Sequence, residues 1–255
     1  MAGMVTYFVR AMVKTSSRNA GCWLTWRRGH GESAAMAVLE PGGLALLQRL
    51  ALAYAPAKTR PAFLTLMLLD QRFAHIVSHT SEPLLAQMRL AWWRDELAKP
   101  SGQRLNSEPL LASIAIHWAG EEPALGKLID GWEGLLADPP LPAAAPSEFA
   151  GGRADAFAAI GRMAGVEESA PIVRLAARRW ALADLAAKVS DADERAVVLS
   201  SAQALGLAPA HLPRALRPLA VLDGIARASL KAGGAEMLQG RATMVLAMRL
   251  GLFGR

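Results

Sequence analysis

Carboxylate pairs are the first chemistry to look for here, because two acidic side chains four residues apart share a helix face and can hold Mg²⁺ together. The 255 residues contain 22 Asp and Glu, and no two of them are four positions apart. Two pairs, Asp130 with Glu133 and Asp191 with Glu194, are three residues apart. The sequence therefore predicts that no single helix presents a paired acidic face to a metal.

Other metal-binding and nucleophilic patterns are also weak. His75 and His79 have a spacing that can chelate a metal, but no third ligand is evident and no Glu lies between them as in a metalloprotease helix. We therefore expect a structural or partly exposed histidine pair and no resident metal. Cys22 is the only cysteine, which is typical of a reducing compartment. No Gly-x-Ser-x-Gly elbow supports nucleophilic catalysis.

The elements that would position these residues are helices. Ala, Leu and Arg are abundant and β-branched residues are scattered, which favours an all-α fold. Glycine and proline separate the apolar helical segments, and the Pro-rich residues 138–142 read as a loop that crosses one compact domain. Predicted helices cover residues 61–79, 123–137, 146–164, 168–189, 211–232 and 239–253, with an earlier helix from Leu44 and two more that begin at caps Ser81 and Ser107.

Residues 1–35 differ from the predicted helical domain, residues 36–255. They hold five Lys and Arg before their first acid, Glu32. We expect either a disordered basic arm, a targeting segment, or sequence upstream of a true start at Met36. Because this segment carries most of the net charge of +6, no nucleic-acid surface is predicted. No apolar run is long enough for a membrane span, so we expect a cytoplasmic protein.

One stretch of the chain is specific enough to suggest a family. Residues 69–74 read Leu-Asp-Gln-Arg-Phe-Ala, and residues 81–97 read Ser-Glu-Pro-Leu-Leu-Ala-Gln-Met-Arg-Leu-Ala-Trp-Trp-Arg-Asp-Glu-Leu. This resembles the squalene/phytoene synthase family, and most closely its divergent branch that includes the complex I assembly factors. Residues 128–131, 180–184 and 212–220 resemble later family segments in the right order. The resemblance implies an isoprenoid-synthase-like helical bundle with a central apolar cavity.

In active members of that family, two aspartate-rich motifs face each other across the cavity and hold Mg²⁺ against a diphosphate. Laying the first motif on the Asp70 helix places residues 74–78, Ala-His-Ile-Val-Ser, where acids are expected. Laying the second on the Trp180 helix places residues 190–194, Ser-Asp-Ala-Asp-Glu, there, on the same predicted helix as Asp184. The resemblance therefore implies a family fold without the paired carboxylates of catalysis.

Eight residues are candidates to line such a cavity. Asp70, inside an apolar helix, is expected to pair with Arg72 or with an Arg on a neighbouring helix, because an uncompensated buried charge is costly. Trp92, Trp93 and Arg94 are expected to serve the core and a buried ion pair, whereas Arg178 and Arg179 read as a solvated helix face. The candidates are Asp70, Arg72, His75, Trp93, Arg94, Asp184, Asp191 and Glu194.

Two classes of function follow from the resemblance. The first is a non-catalytic helper without a cofactor, which assists respiratory-complex assembly or binds an isoprenoid or lipid-like ligand. Such a helper would bind a protein partner or lie peripherally at the inner membrane. The alternative is a Mg²⁺-dependent prenyltransferase that joins isoprenyl diphosphates head to head.

Overall fold

The computed structural model describes residues 39–254, apart from residues 81, 106, 139, 235, 236, 238 and 239. Within these residues every regular element is helical, which confirms the predicted all-α class. The first five α-helices are α1 (Leu46–Ala53), α2 (Arg60–His79), α3 (Pro83–Ala98), α4 (Pro109–His117) and α5 (Glu122–Glu133). They are followed by α6 (Ala145–Met163), α7 (Ala170–Ala186), α8 (Ala192–Ala204), α9 (Arg217–Lys231) and α10 (Gly240–Phe253). The segment 1–35 and Cys22 lie outside the described residues.

Proline sets the start of most of these helices. Seven of the helices described above, α2 to α7 and α9, carry a proline in the first turn. Proline fits there because the first backbone N–H groups of a helix have no partner within it. The prediction of Ser81 and Ser107 as caps was wrong. Glu82 and Glu108 hold the cap positions in extended backbone, which is the conformation that a following proline favours.

Two other predicted boundaries were wrong. The helix expected over residues 168–189 ends at Ala186, and Asp191 starts a new one, α8, by accepting hydrogen bonds from the backbone N–H groups of Asp193 and Glu194. This is ordinary N-cap chemistry. Asp184 and Asp191 therefore lie on different helices. The helix expected from His211 begins only at Arg217, after a 3₁₀ turn.

The core of the bundle lies where α5, α6 and α7 pack together, with α2 against them. The Pro-rich loop falls between α5 and α6, so helices from both sides of it share one core. Glycine allows the closest of these approaches. A Cβ on Gly152 of α6 would lie 2.3 Å from the backbone oxygen of Lys127 on α5, and one on Gly131 would lie 3.0 Å from the Cα of Phe149.

None of the helices in the described residues has the length and apolar character needed to cross a membrane.

Candidate functional site

A buried arginine lies between two buried aspartates at the centre of the bundle. Arg153 of α6 is 2% exposed. Its Nε and Nη2 donate to the two carboxylate oxygens of Asp70 on α2, at 3.0 and 2.8 Å, and its Nη1 donates to Oδ2 of Asp184 on α7, at 2.9 Å. One guanidinium therefore joins carboxylates from two opposed helices.

Aromatic rings and an indole complete the surroundings of this guanidinium. The Arg153 Cζ lies 4.5 Å from the ring centroids of both Phe149 and Trp180 and 5.3 Å from that of Trp132. Trp132 Nε1 also donates to Asp70 Oδ1 at 2.8 Å. Since Gly131 and Gly152 bring α5 and α6 together, the residues that follow them, Trp132 and Arg153, are placed side by side. The rings exclude water and offer the cation their π faces.

The cluster is electrically balanced without a metal. Lys188 donates to Asp184 Oδ2 at 2.8 Å, so two cations face two carboxylates. Burial alone would raise the pKa of Asp184, but the charges of Lys188 and Arg153 outweigh it and lower that pKa. Burial by itself would lower the pKa of Arg153, but the carboxylates of Asp70 and Asp184 outweigh it and raise that pKa. Arg153 and Asp184 therefore both stay charged at neutral pH.

Of the eight predicted site residues, the structure brings together two, Asp70 and Asp184. The pairing of Asp70 with an arginine on a neighbouring helix is confirmed, while Arg72 pairs instead with Glu108 at 3.4 Å near the surface. The space between Asp70 and Asp184 is filled by the Arg153 side chain. Among the described residues, no three His, Cys, Asp or Glu side chains are arranged to hold a metal ion.

The Trp-Trp-Arg segment of α3 contacts α2 and α5. Trp93 is buried and meets the Phe73 ring edge-on at 5.8 Å, which agrees with a core role. Trp92 is partly exposed. The expectation of a buried ion pair was wrong for Arg94, since its half-exposed side chain bonds Asp130 at 2.8 Å and Glu133 at 2.6 Å, on α5. The pair thus ties α3 to α5 at the surface.

The histidine pair is at the surface of α2. The rings of His75 and His79 stack with centroids 4.1 Å apart, as expected for a partly exposed structural pair. Partial burial, His79 and two nearby arginines, Arg72 and Arg89, lower the pKa of His75.

The last two candidates, Asp191 and Glu194, have local bonding roles. Asp191 caps α8, and Glu194 Oε1 accepts from the backbone N–H of Leu141 at 3.0 Å, in the Pro-rich loop. Neither one reaches the Arg153 cluster through a hydrogen bond described here. They fasten α8 and the loop rather than complete an acidic site.

Among the described residues, three arginines are buried that the sequence pattern did not predict to be so, Arg104, Arg153 and Arg179. Arg153 was not singled out, although Phe149 and Phe157 flank it at four residues on either side, and a charge at the centre of an apolar helix face signals a buried pair. Arg179, expected on a solvated face, is fully buried and donates to both oxygens of Asp223 on α9, at 2.8 and 3.1 Å. Its neighbour Arg178 is exposed, as expected.

Two hollows lie apart from the central cluster. One, of about 530 Å³, lies beside Arg94, Lys99 and Arg104. The other, of about 360 Å³, lies between α9 and α10 and is lined by apolar and basic side chains. Predicted cavity residue Arg94 therefore borders a surface hollow.

Comparison with known proteins agrees with the family resemblance. The family model of squalene/phytoene synthase matches residues 49–147, from within α1 to the start of α6. The predicted resemblance is therefore confirmed for this part of the chain, which includes Asp70, the Trp-Trp-Arg segment and Trp132. The match ends before Arg153 and Asp184. Searches of curated proteins and of solved structures found no match.

Proposed function

We propose that this chain is a non-catalytic protein of the squalene/phytoene synthase type, in which Arg153 takes the place that metal ions hold between opposed carboxylates. The observation that carries the proposal is that Asp70 and Asp184, on α2 and α7, both bond to the Arg153 guanidinium. The same oxygens cannot also bind Mg²⁺ while the arginine holds them. A fixed, buried cation would thus supply the structural attraction between the two helices.

Electrostatics supports the proposal. In the family mechanism, Mg²⁺ ions neutralise a departing diphosphate, which requires carboxylates that face an open space. Here Asp70 is buried and receives three donors, and Asp184 receives two. Adding a metal ion to this balanced cluster would leave excess positive charge, and expelling Arg153 would strand its guanidinium among aromatic rings. Both routes are costly in a dry interior.

A helper role is the function we assign to such a chain. The resemblance to the divergent branch with complex I assembly factors supports a respiratory-complex assembly helper, which would contact a protein partner or an isoprenoid. We further propose a cytoplasmic location at the inner face of a membrane. The single cysteine and the exposed apolar side chains of α10 support this part of the proposal.

Turnover tests the proposal against its alternative, a prenyltransferase. Purified chain is incubated with Mg²⁺ and farnesyl or geranylgeranyl diphosphate, and released pyrophosphate is measured. We expect no release above that of a blank without protein. Release that disappears in the Asp70→Asn variant would overturn the non-catalytic proposal and establish the enzyme.

A further inference from the structure

Helix α10 is apolar on the side that faces away from the bundle. Its inner face buries Ala247 and Leu250. Its outer face carries Val245, Met248 and Leu252 at spacings of three and four residues, with Leu252 63% exposed. Phe253, 67% exposed, follows at the end of the helix, and Met244 adds to the face. Contiguous exposed apolar surfaces are typical of sites that bind a protein or a membrane.

The charges on this helix all have one sign. Residues 240–253 contain two arginines, Arg241 and Arg249, and no acid. Arg241 and Arg249 are exposed and lie four residues before and after Val245, so both belong to the outer face. Basic residues interleaved with large apolar ones are typical of helices that lie in the interface of an anionic membrane.

A basic hollow adjoins the same face. The hollow of about 360 Å³ between α9 and α10 is lined by four basic side chains, His211, Arg227, Lys231 and Arg249, and by no acid. Arg227 is held in place because its Nε donates to Asp223 at 3.1 Å. Arg249 lines the hollow and also stands on the exposed face, so the two features are continuous.

Leu246 and Leu250 give this hollow an apolar wall beside its cations. A hollow with an apolar wall and a cationic rim suits a phosphate group attached to an acyl chain. Its volume falls in the range of small-molecule pockets.

We infer that α10 and this hollow together form a docking site for anionic phospholipid, with the outer apolar side chains in the acyl region and a lipid phosphate in the hollow. Charge decides against a second copy of the chain as occupant, because pairing two α10 faces would set Arg241 and Arg249 against like charges. The inference rests on the proposed location at the inner face of a membrane, and it identifies the surface of the protein that would contact that membrane. The non-catalytic proposal is tested separately by turnover.

Vesicle flotation tests the inference with the full chain. We expect recovery with vesicles of phosphatidylcholine plus phosphatidylglycerol and little with phosphatidylcholine alone. The Lys231→Gln/Arg249→Gln variant should partition about twenty-five-fold less, since each cation near an anionic surface contributes about fivefold. Leu252→Ser/Phe253→Ser should partition at least about tenfold less through the loss of apolar burial.

The matched control lies on α3, where Leu84 and Met88 are 64% and 62% exposed. Leu84→Ser/Met88→Ser should float like the parent chain, and circular dichroism should be unchanged for all three variants. Equal recovery with both kinds of vesicle would overturn the inference. Undiminished flotation of the α10 variants would overturn it as well, because binding would then come from another part of the chain, such as the basic residues 1–35.

Discussion

Removing the charge of Arg153 should destabilise the fold more than almost any other single substitution in the bundle. In Arg153→Met, Asp70 loses two of its three donors and Asp184 loses one of its two. The two carboxylates would then face each other in a dry interior without the cation between them. Removing one partner of a buried ion pair costs about 3–5 kcal/mol, which is a large part of the roughly 5–15 kcal/mol that stabilises a typical domain.

Neutralising the aspartates as well should restore most of that loss. In Asp70→Asn/Arg153→Met/Asp184→Asn no uncompensated buried charge remains, and replacing a whole buried ion network is often nearly neutral. We expect the triple variant to lie within about 2 kcal/mol of the parent chain. The single variant should also regain stability as the pH falls, because a buried carboxyl without a cation has a raised pKa and binds a proton in the folded state.

Urea unfolding followed by tryptophan fluorescence measures these differences, since the chain contains seven tryptophans. The reasoning is refuted if Arg153→Met costs less than about 1 kcal/mol, the range of an exposed pair. It is also refuted if the triple variant is no more stable than the single one.

Three further predictions use the same unfolding assay. Gly152→Ala should lower the free energy of unfolding by about 2–3 kcal/mol, because its Cβ would meet the α5 backbone. The control Gly126→Ala has nothing within 4 Å of the new Cβ and should be neutral or stabilising. Equal effects of the two variants would contradict this packing. Arg94→Ala should cost less than about 1 kcal/mol, because its ion pairs are half-exposed, and a larger loss would mean that they are not screened. Because the pKa of Asp184 is lowered in the folded state, its ion pairs stabilise the fold above the unfolded pKa of about 3.9, and this stabilisation is lost as the pH falls through the folded pKa. Asp184→Asn should lack this acid-dependent loss of stability. If the free energy of unfolding of that variant depends on acidic pH as it does in the parent chain, the assignment is contradicted.

The all-α class and most helices could be predicted because proline and glycine mark their boundaries. Residues 61–79 were predicted as a helix and α2 covers Arg60–His79. The end of α7 was predicted three residues late because Ala, Lys and Val at residues 187–189 are compatible with a helix, and α8 was not among the predicted helices. Only the cap made by Asp191 shows that a new one begins.

The sequence predicted that Asp70 belongs to the candidate site, but not that Arg153 is its partner. An aspartate in an apolar helix required a cation, and the expected partner on a neighbouring helix was found for Asp70. The identity of that cation could not be read from spacing, because Arg153 lies 83 residues further along the chain. The sequence suggested that Asp191 and Glu194 were remnants of a metal-binding motif, but both accept hydrogen bonds from backbone N–H groups. Asp191 is a helix cap and Glu194 anchors a loop. Residue types alone do not distinguish these roles from metal binding.

Metal binding at the Arg153 cluster is the most direct test of the central claim. The measurement is a Mn²⁺ titration by electron paramagnetic resonance in the presence of inorganic pyrophosphate, on the parent chain and on Asp70→Asn/Arg153→Met/Asp184→Asn, the variant that is expected to keep the fold. We predict the same titration for both proteins, because the arginine already occupies these carboxylates. Bound Mn²⁺ in the parent chain that is lost in the triple variant would contradict the account.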